Sequence, residues 1–120
     1  MNNKIVFITQ IPHKIDRATG SFTPTVNIAP AGEFGEIKVM MPPRAAYIDS
    51  QELVSGLATY LHQYDFERGD SIITLGDPMI MAAACAYLGR SVGKFTLLKW
   101  DRNTGRYLPT LVDVAGDEPC

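Results

Sequence analysis

The stretch ITLGDPMIMAAACAYLG, residues 73–89, decides the fold. It opens inside a short apolar run, Ser71-Ile72-Ile73-Thr74-Leu75, bounded by Gly69-Asp70 and Gly76-Asp77, which suits a buried strand. Residues 78–88 then carry no charge at all and predict a helix that is apolar all round, hence buried on more than one face. At the joint, Asp77 is a residue type that caps the free N–H groups of a first helical turn, and Pro78 suits the first helical position. Gly89 is expected to supply the C-terminal glycine, with Arg90 as a cation near the negative end of the helix dipole.

Working outward, residues 94–100 read as a further strand, 101–105 as a turn and 106–114 as the return strand of a hairpin. On the N-terminal side, residues 4–10 are a β-branched and aromatic run ended by Ile11-Pro12, and residues 37–41 a second strand closed by Pro42-Pro43. Asp49 with Glu52 three positions on marks a helix start. Leu53, Val54, Leu57, Leu61 and Tyr64 then repeat at helical spacing, so this helix lies with one face on something. Residues 13–32 hold Gly20, Pro24, Pro30 and Gly32 among Ser, Thr and Asn and read as a long loop. It is long enough to hide a short hairpin with residues 25–28 as one arm. The sum is one small α/β domain over residues 1–120, with a mostly parallel sheet, two helices and a C-terminal antiparallel β-hairpin.

Bulk composition agrees. The chain has 120 residues, 46% hydrophobic and 20% charged, which suits one globular core and argues against disorder. No apolar run approaches the ~18 residues of a membrane span, and no segment reads as a signal peptide. The expected location is the cytoplasm, with no membrane partner. Cys85, amid alanines, reads as a core residue, and Cys120 ends the chain, so neither suggests a disulfide framework. The acidic tail 117–120 reads as frayed.

The net charge of −2 conceals an asymmetry: Arg90, Lys94, Lys99, Arg102 and Arg106 stand against Asp101 alone, a local +4 that leaves −6 elsewhere. In the hairpin, Lys94, Lys99, Trp100, Arg102, Arg106 and Tyr107 combine cations with aromatics. Single-stranded nucleic acids are bound by that combination, phosphates meeting Lys or Arg and bases stacking on rings. Protein interfaces are enriched in Trp, Tyr and Arg as well. The plainer account is an edge hairpin whose cations discourage strand pairing and whose rings pack on the core.

Gly76 and Asp77 form the rival site, since open α/β sheets bind ligands at the carboxyl ends of their strands. Against a phosphate there, Met79-Ile80-Met81 offers neither the glycines nor the lysine of a phosphate-binding loop, and Asp77 repels an anion. His13 and His62 have no partner at metal-ligand or catalytic spacing, so no catalytic residue, metal or cofactor is expected.

Four blocks carry a resemblance: residues 27–36 leading into 37–43, Leu75-Gly76-Asp77-Pro78, Leu98-Lys99-Trp100-Asp101-Arg102 and Arg106-Tyr107-Leu108-Pro109. With the opening strand and its Thr9-Gln10, they make most of the chain similar to a family of small uncharacterised proteins encoded by tailed bacteriophages. The resemblance implies a phage protein made in a bacterial host and acting in replication, transcription or host takeover. It brings no activity or catalytic residue, and the insert around residues 13–26 departs from its pattern. The expectation is a non-enzymatic accessory protein that binds nucleic acid or a phage or host protein through the hairpin, with homo-oligomerisation left open. The alternative is a nucleotide or small-ligand protein, or an enzyme, built on Gly76-Asp77.

Overall fold

In the computed structural model, which describes residues 3–43 and 49–116, β1 (Ile5–Gln10) is the strand on which the rest is assembled. All six of its residues are buried because it has a strand on each side and cover on each face. The chain next makes a small antiparallel hairpin, β2 (His13–Ile15) and β3 (Phe22–Pro24), then a 3-10 helix at Ala29–Phe34 and β4 (Glu36–Met41). Helix α1 (Ser50–Leu61) leads to β5 (Ser71–Ile73), α2 (Pro78–Ser91) to β6 (Lys94–Asp101), and a turn to β7 (Arg106–Asp113). The sheet runs β4-β1-β5-β6-β7, with four parallel strands and an antiparallel edge at β7. The α/β class, the mostly parallel sheet and the C-terminal hairpin are those the sequence predicts.

The two faces of the sheet are covered unequally. Side chains alternate along β1, sending Ile5 and Phe7 into the helical layer with Leu53, Leu57, Ile80, Ala84 and Leu88. Val6 and Ile8 point the other way, toward Ala31 of the 3-10 helix, Ile73, Leu98 and Tyr107. The second face therefore has six residues of 3-10 helix where the first has two α-helices. Parallel sheets are ordinarily covered on both faces, so this thin cover decides where a site can lie.

Four expectations change on contact with the structure. Residues 25–28 are not a hairpin arm; β3 comes earlier because Thr25 closes the hairpin's base, its N–H donating to Pro12 O at 2.9 Å. The 3-10 helix lies within and just beyond what reads as loop, where Pro30 sits at the start of the helix and Gly32 inside it. Gly89 does not end α2. The helix runs on to Ser91, and the turn falls at Gly93, whose φ is +92° and whose N–H reaches back to Leu88 O at 3.1 Å. A Cβ at position 89 would sit 3.1 Å from Val114 Cγ2, so that glycine makes room for the chain beyond β7. Lastly, α2 buries one stripe, Ile80, Ala84 and Leu88, while Met79, Ala82 and Ala86 face solvent. Alanine needs no charge beside it to be tolerated at a helix surface, since it has the highest helix propensity and little apolar area.

At the amino edge of the sheet a buried polar node ties three segments together. The Asp70 carboxylate is 0% exposed and accepts from Ile5 N at 2.9 Å, Asp65 N at 3.0 Å and Arg68 Nε at 2.9 Å, with Arg68 Nη2 on its other oxygen. Beside it, Tyr64 Oη donates to Asp70 O at 2.9 Å and accepts from Thr96 N at 3.0 Å. At the carboxyl edge Thr9 Oγ1 donates to Leu75 O at 2.6 Å and accepts from Leu75 N at 2.8 Å, which fastens β1 to the exit of β5.

Candidate functional site

The β6–β7 hairpin does not gather its cations as the composition suggests. Alternation sends Leu98 and Trp100 to the thinly covered face and Phe95 and Leu97 toward the helical side. Lys94 starts the strand and places its Nζ 4.8 Å above the Phe66 ring, roughly 20 Å along β6 from Trp100 at ~3.3 Å per residue. Arg106 Nη2 reaches Glu33 Oε2 of the 3-10 helix at 3.2 Å, and Arg102 lies exposed in the turn. The turn itself is held by Asp101, whose carboxyl sits below its ordinary range because Thr104 Oγ1 donates to it at 2.7 Å.

The structure does bring Trp100 and Tyr107 together. They are cross-strand partners, with ring centroids 4.9 Å apart and planes at 67°, an edge-on pair. Tyr107 is 5% exposed, and burial pushes its phenol above the ordinary value. Trp100, resting on it, is 46% exposed. Both line an apolar groove of about 530 Å³ whose floor includes Ile73, Leu75 and Leu98 and whose far wall is Val26 and Asn27. The groove exists because the 3-10 helix begins only after Asn27 and leaves the carboxyl ends of β5 and β6 open on this face. One sequence feature bears on it: β1 and β4 are parallel but joined without an α-helix, so one face loses half its cover.

The rival site is also assembled in part. The connection leaving β1 runs over the 3-10 face and the one leaving β5 over the helical face, so the two diverge at a topological switch point. There Gly76, Asp77 and Pro78 line an open crevice of about 570 Å³ together with Gln10 and with His13 from the β2–β3 hairpin. The spacing in sequence gave no sign of His13. Its Nδ1 lies 2.7 Å from Ile11 O.

Much of the crevice is already in use. Gln10 Oε1 accepts from Asp77 N and its Nε2 donates to Pro42 O, both at 2.8 Å. Gly76 has φ +89°, and a Cβ there would collide with Gln10 Oε1, so the glycine is required by the closeness of that side chain. Asp77 Oδ1 accepts from Met79 N at 2.8 Å, the geometry of an N-cap. His62, the C-cap residue of α1, turns its Nδ1 to Ala58 O at 2.9 Å. Among the described residues no group of three or more His, Cys, Asp or Glu is placed to hold a metal ion. Cys85 is half-buried against the helical core, and burial raises its thiol pKa. Cys120 lies outside the described residues.

A family model described as Phage Pam3 gp32-like protein matches residues 4–114, a span that takes in every strand and helix above. The chain belongs to that family. No curated protein and no solved structure matches it. Membership in the Phage Pam3 gp32-like family makes this a small phage protein, as the four sequence blocks imply. The β2–β3 hairpin falls inside the matched span. No helix among the described residues is long and apolar enough to cross a membrane.

Proposed function

We propose that this phage protein acts by binding a protein partner, and that the contact surface is the Trp100–Tyr107 end of the β6–β7 hairpin with the groove beside it. The observation that carries the reading is Trp100, nearly half exposed at the mouth of an apolar groove on the thinly covered face. Large aromatics at the centre of a concave apolar patch are the commonest anchors of protein interfaces. A protein partner fits better than a nucleic acid. Of the hairpin cations, Lys94 lies at the far end of β6 and Arg106 faces a carboxylate, so Lys99 is the one cation among the described residues that line the groove. A nucleic-acid track needs cations at phosphate spacing along one surface, with several stacking rings.

A pull-down from infected host cells, with and without nuclease, tests this. Capture that survives nuclease and is lost in Trp100→Ala is the expected result, since truncating such an anchor costs ~2 kcal/mol or more. Capture abolished by nuclease, or indifferent to Trp100→Ala, overturns it. A second reading, a ligand or enzyme site at Gly76-Asp77, is favoured by one observation, that His13 is brought to the same crevice. Loss of function in a folded Asp77→Asn protein would move the assignment there.

A further inference from the structure

The sheet ends in two unlike edges, and from the one at β7 we infer that the protein pairs with a second copy of itself, β7 against β7 in antiparallel array. The inference stands apart from the groove: it uses the rim of the sheet, whereas the groove opens on a face. At the other rim β4 is shielded, with one residue of six exposed and both its methionines buried. β7 has six of its eight residues exposed, Leu108 and Leu111 at 47% and 58% among them. Natural edges are guarded by brevity, bulges, lysines or inward charges. β7 is eight residues long, keeps an unbroken register with β6 and carries no charge between Arg106 and Asp113. Arg106 itself is turned to Glu33.

Pro109 is the one remaining guard, and the hydrogen bonds of the hairpin define what it can block. Val114 N donates to Gly93 O at 2.9 Å, while Thr96 N donates away from β7, to Tyr64 Oη at 3.0 Å. Together with the register, these bonds fix the alternation. Residues 106, 108, 110 and 112 exchange bonds with β6, and Tyr107, Pro109, Leu111 and Asp113 turn their backbone groups to the free edge. Pro109 therefore removes one outward donor and leaves every outward acceptor in place.

A two-fold axis through Thr110 makes the fullest use of that edge. Leu111 N of each copy then donates to Pro109 O of the other, and Tyr107 and Asp113 exchange both their bonds, about six in all. Centring the axis elsewhere on the strand leaves about four or fewer. The same register sets Leu108 against Val112 and Pro109 against Leu111, apolar against apolar on either side of the Thr110 pair. It also brings the Arg106 end of one strand to the Asp113 end of the other, with no like charges opposed. Two five-stranded sheets become one of ten. An edge ~27 Å long, joined strand to strand, buries less than the ~800 Å² per partner of a standard interface, so the dimer forms reversibly with concentration.

The register makes the test direct. Thr110 is its own partner at the axis, in a pair whose Cα atoms lie ~4.5 Å apart, within reach of a disulfide. Leu108 is ~14 Å from the same residue of the second copy. In a full chain carrying Cys85→Ala and Cys120→Ser, mild oxidation should link Thr110→Cys into a dimer on a non-reducing gel and leave Leu108→Cys as single chains. Sedimentation of the unaltered protein should shift from one chain to two as its concentration rises through the micromolar range. Leu111→Lys sets two ammonium groups diagonally across the axis and should weaken association at least about tenfold, with unchanged circular dichroism; if that variant does not fold, the contrast between the two cysteines decides. A chain that stays single throughout the range, association indifferent to Leu111→Lys, a Thr110→Cys chain that does not link, or Leu108→Cys linking as fast would each overturn the β7 pairing. The groove is scored separately, by nuclease-resistant capture that depends on Trp100, so the two failures are told apart.

Discussion

Replacing Asp70 by Asn should cost the fold about 3 kcal/mol, a large share of the ~5–15 kcal/mol that holds a small domain together. The carboxylate takes four hydrogen bonds, two from backbone N–H groups and two from Arg68, and is fully buried. Asn keeps one oxygen and turns an N–H₂ toward donors, so about two bonds are lost at ~1.5–3 kcal/mol each for a charged acceptor. The lower end applies, because the Arg68 side chain is 24% exposed and its released guanidinium can turn to water.

Arg68→Met acts from the other side and leaves a buried carboxylate with only two backbone donors. Breaking a buried pair in this direction costs roughly 3–5 kcal/mol. The double variant should then cost clearly less than the sum, since removing Arg68 also removes donors that the new amide would oppose. Urea unfolding of the four proteins, followed by far-ultraviolet circular dichroism, measures all three differences. If either single replacement costs under ~1 kcal/mol, or the two simply add, the node is not the fastening described.

Asp77→Asn should retain the N-cap and lose well under ~1 kcal/mol, whereas Asp77→Ala should lose about 1 kcal/mol, read from the same urea midpoints; a larger loss in Asn than in Ala contradicts a capping role. Burial raises the Tyr64 phenol above its ordinary value near 10, which means the folded state holds that proton more tightly than the unfolded chain. Its contribution to stability is therefore complete below about pH 10 and is lost as the pH climbs through the raised value. Urea midpoints should fall across that window, and Tyr64→Phe should flatten the decline; a wild-type midpoint that holds steady from pH 9 to 11 disagrees.

Local signals located most elements because each was carried by neighbours in the chain. Asp49 and Asp77 cap as their residue types demand, with Oδ1 of each 2.9 and 2.8 Å from the N–H two residues on. β1 stops before Ile11-Pro12, and the β6–β7 turn falls at 102–105. What could not be read depends on partners distant in sequence. Arg106 finds Glu33 across 73 positions and Asp70 finds Ile5 across 65, so neither the broken basic patch nor the buried node shows in a local pattern. The groove was hidden for a related reason: it is a missing layer, and no residue announces a layer that is absent. The 3-10 helix escaped because Pro30 and Gly32 read as breakers of an α-helix and say nothing against a tighter, shorter one.

Gln10 has a consequence for what this scaffold can become. Its side chain occupies the switch-point crevice and bridges β5 to β4 by way of Asp77 N and Pro42 O. Part of the position that comparable sheets give to a ligand is thus taken by the protein itself. Shortening this one side chain would vacate space against a glycine that already lacks a Cβ, beside a histidine and at a helix start, without touching the backbone ladder of β1. A lineage or a designer could reach a new pocket from here in a single step, and the cost would be borne at the rim of the sheet, away from the two packed clusters that make the fold.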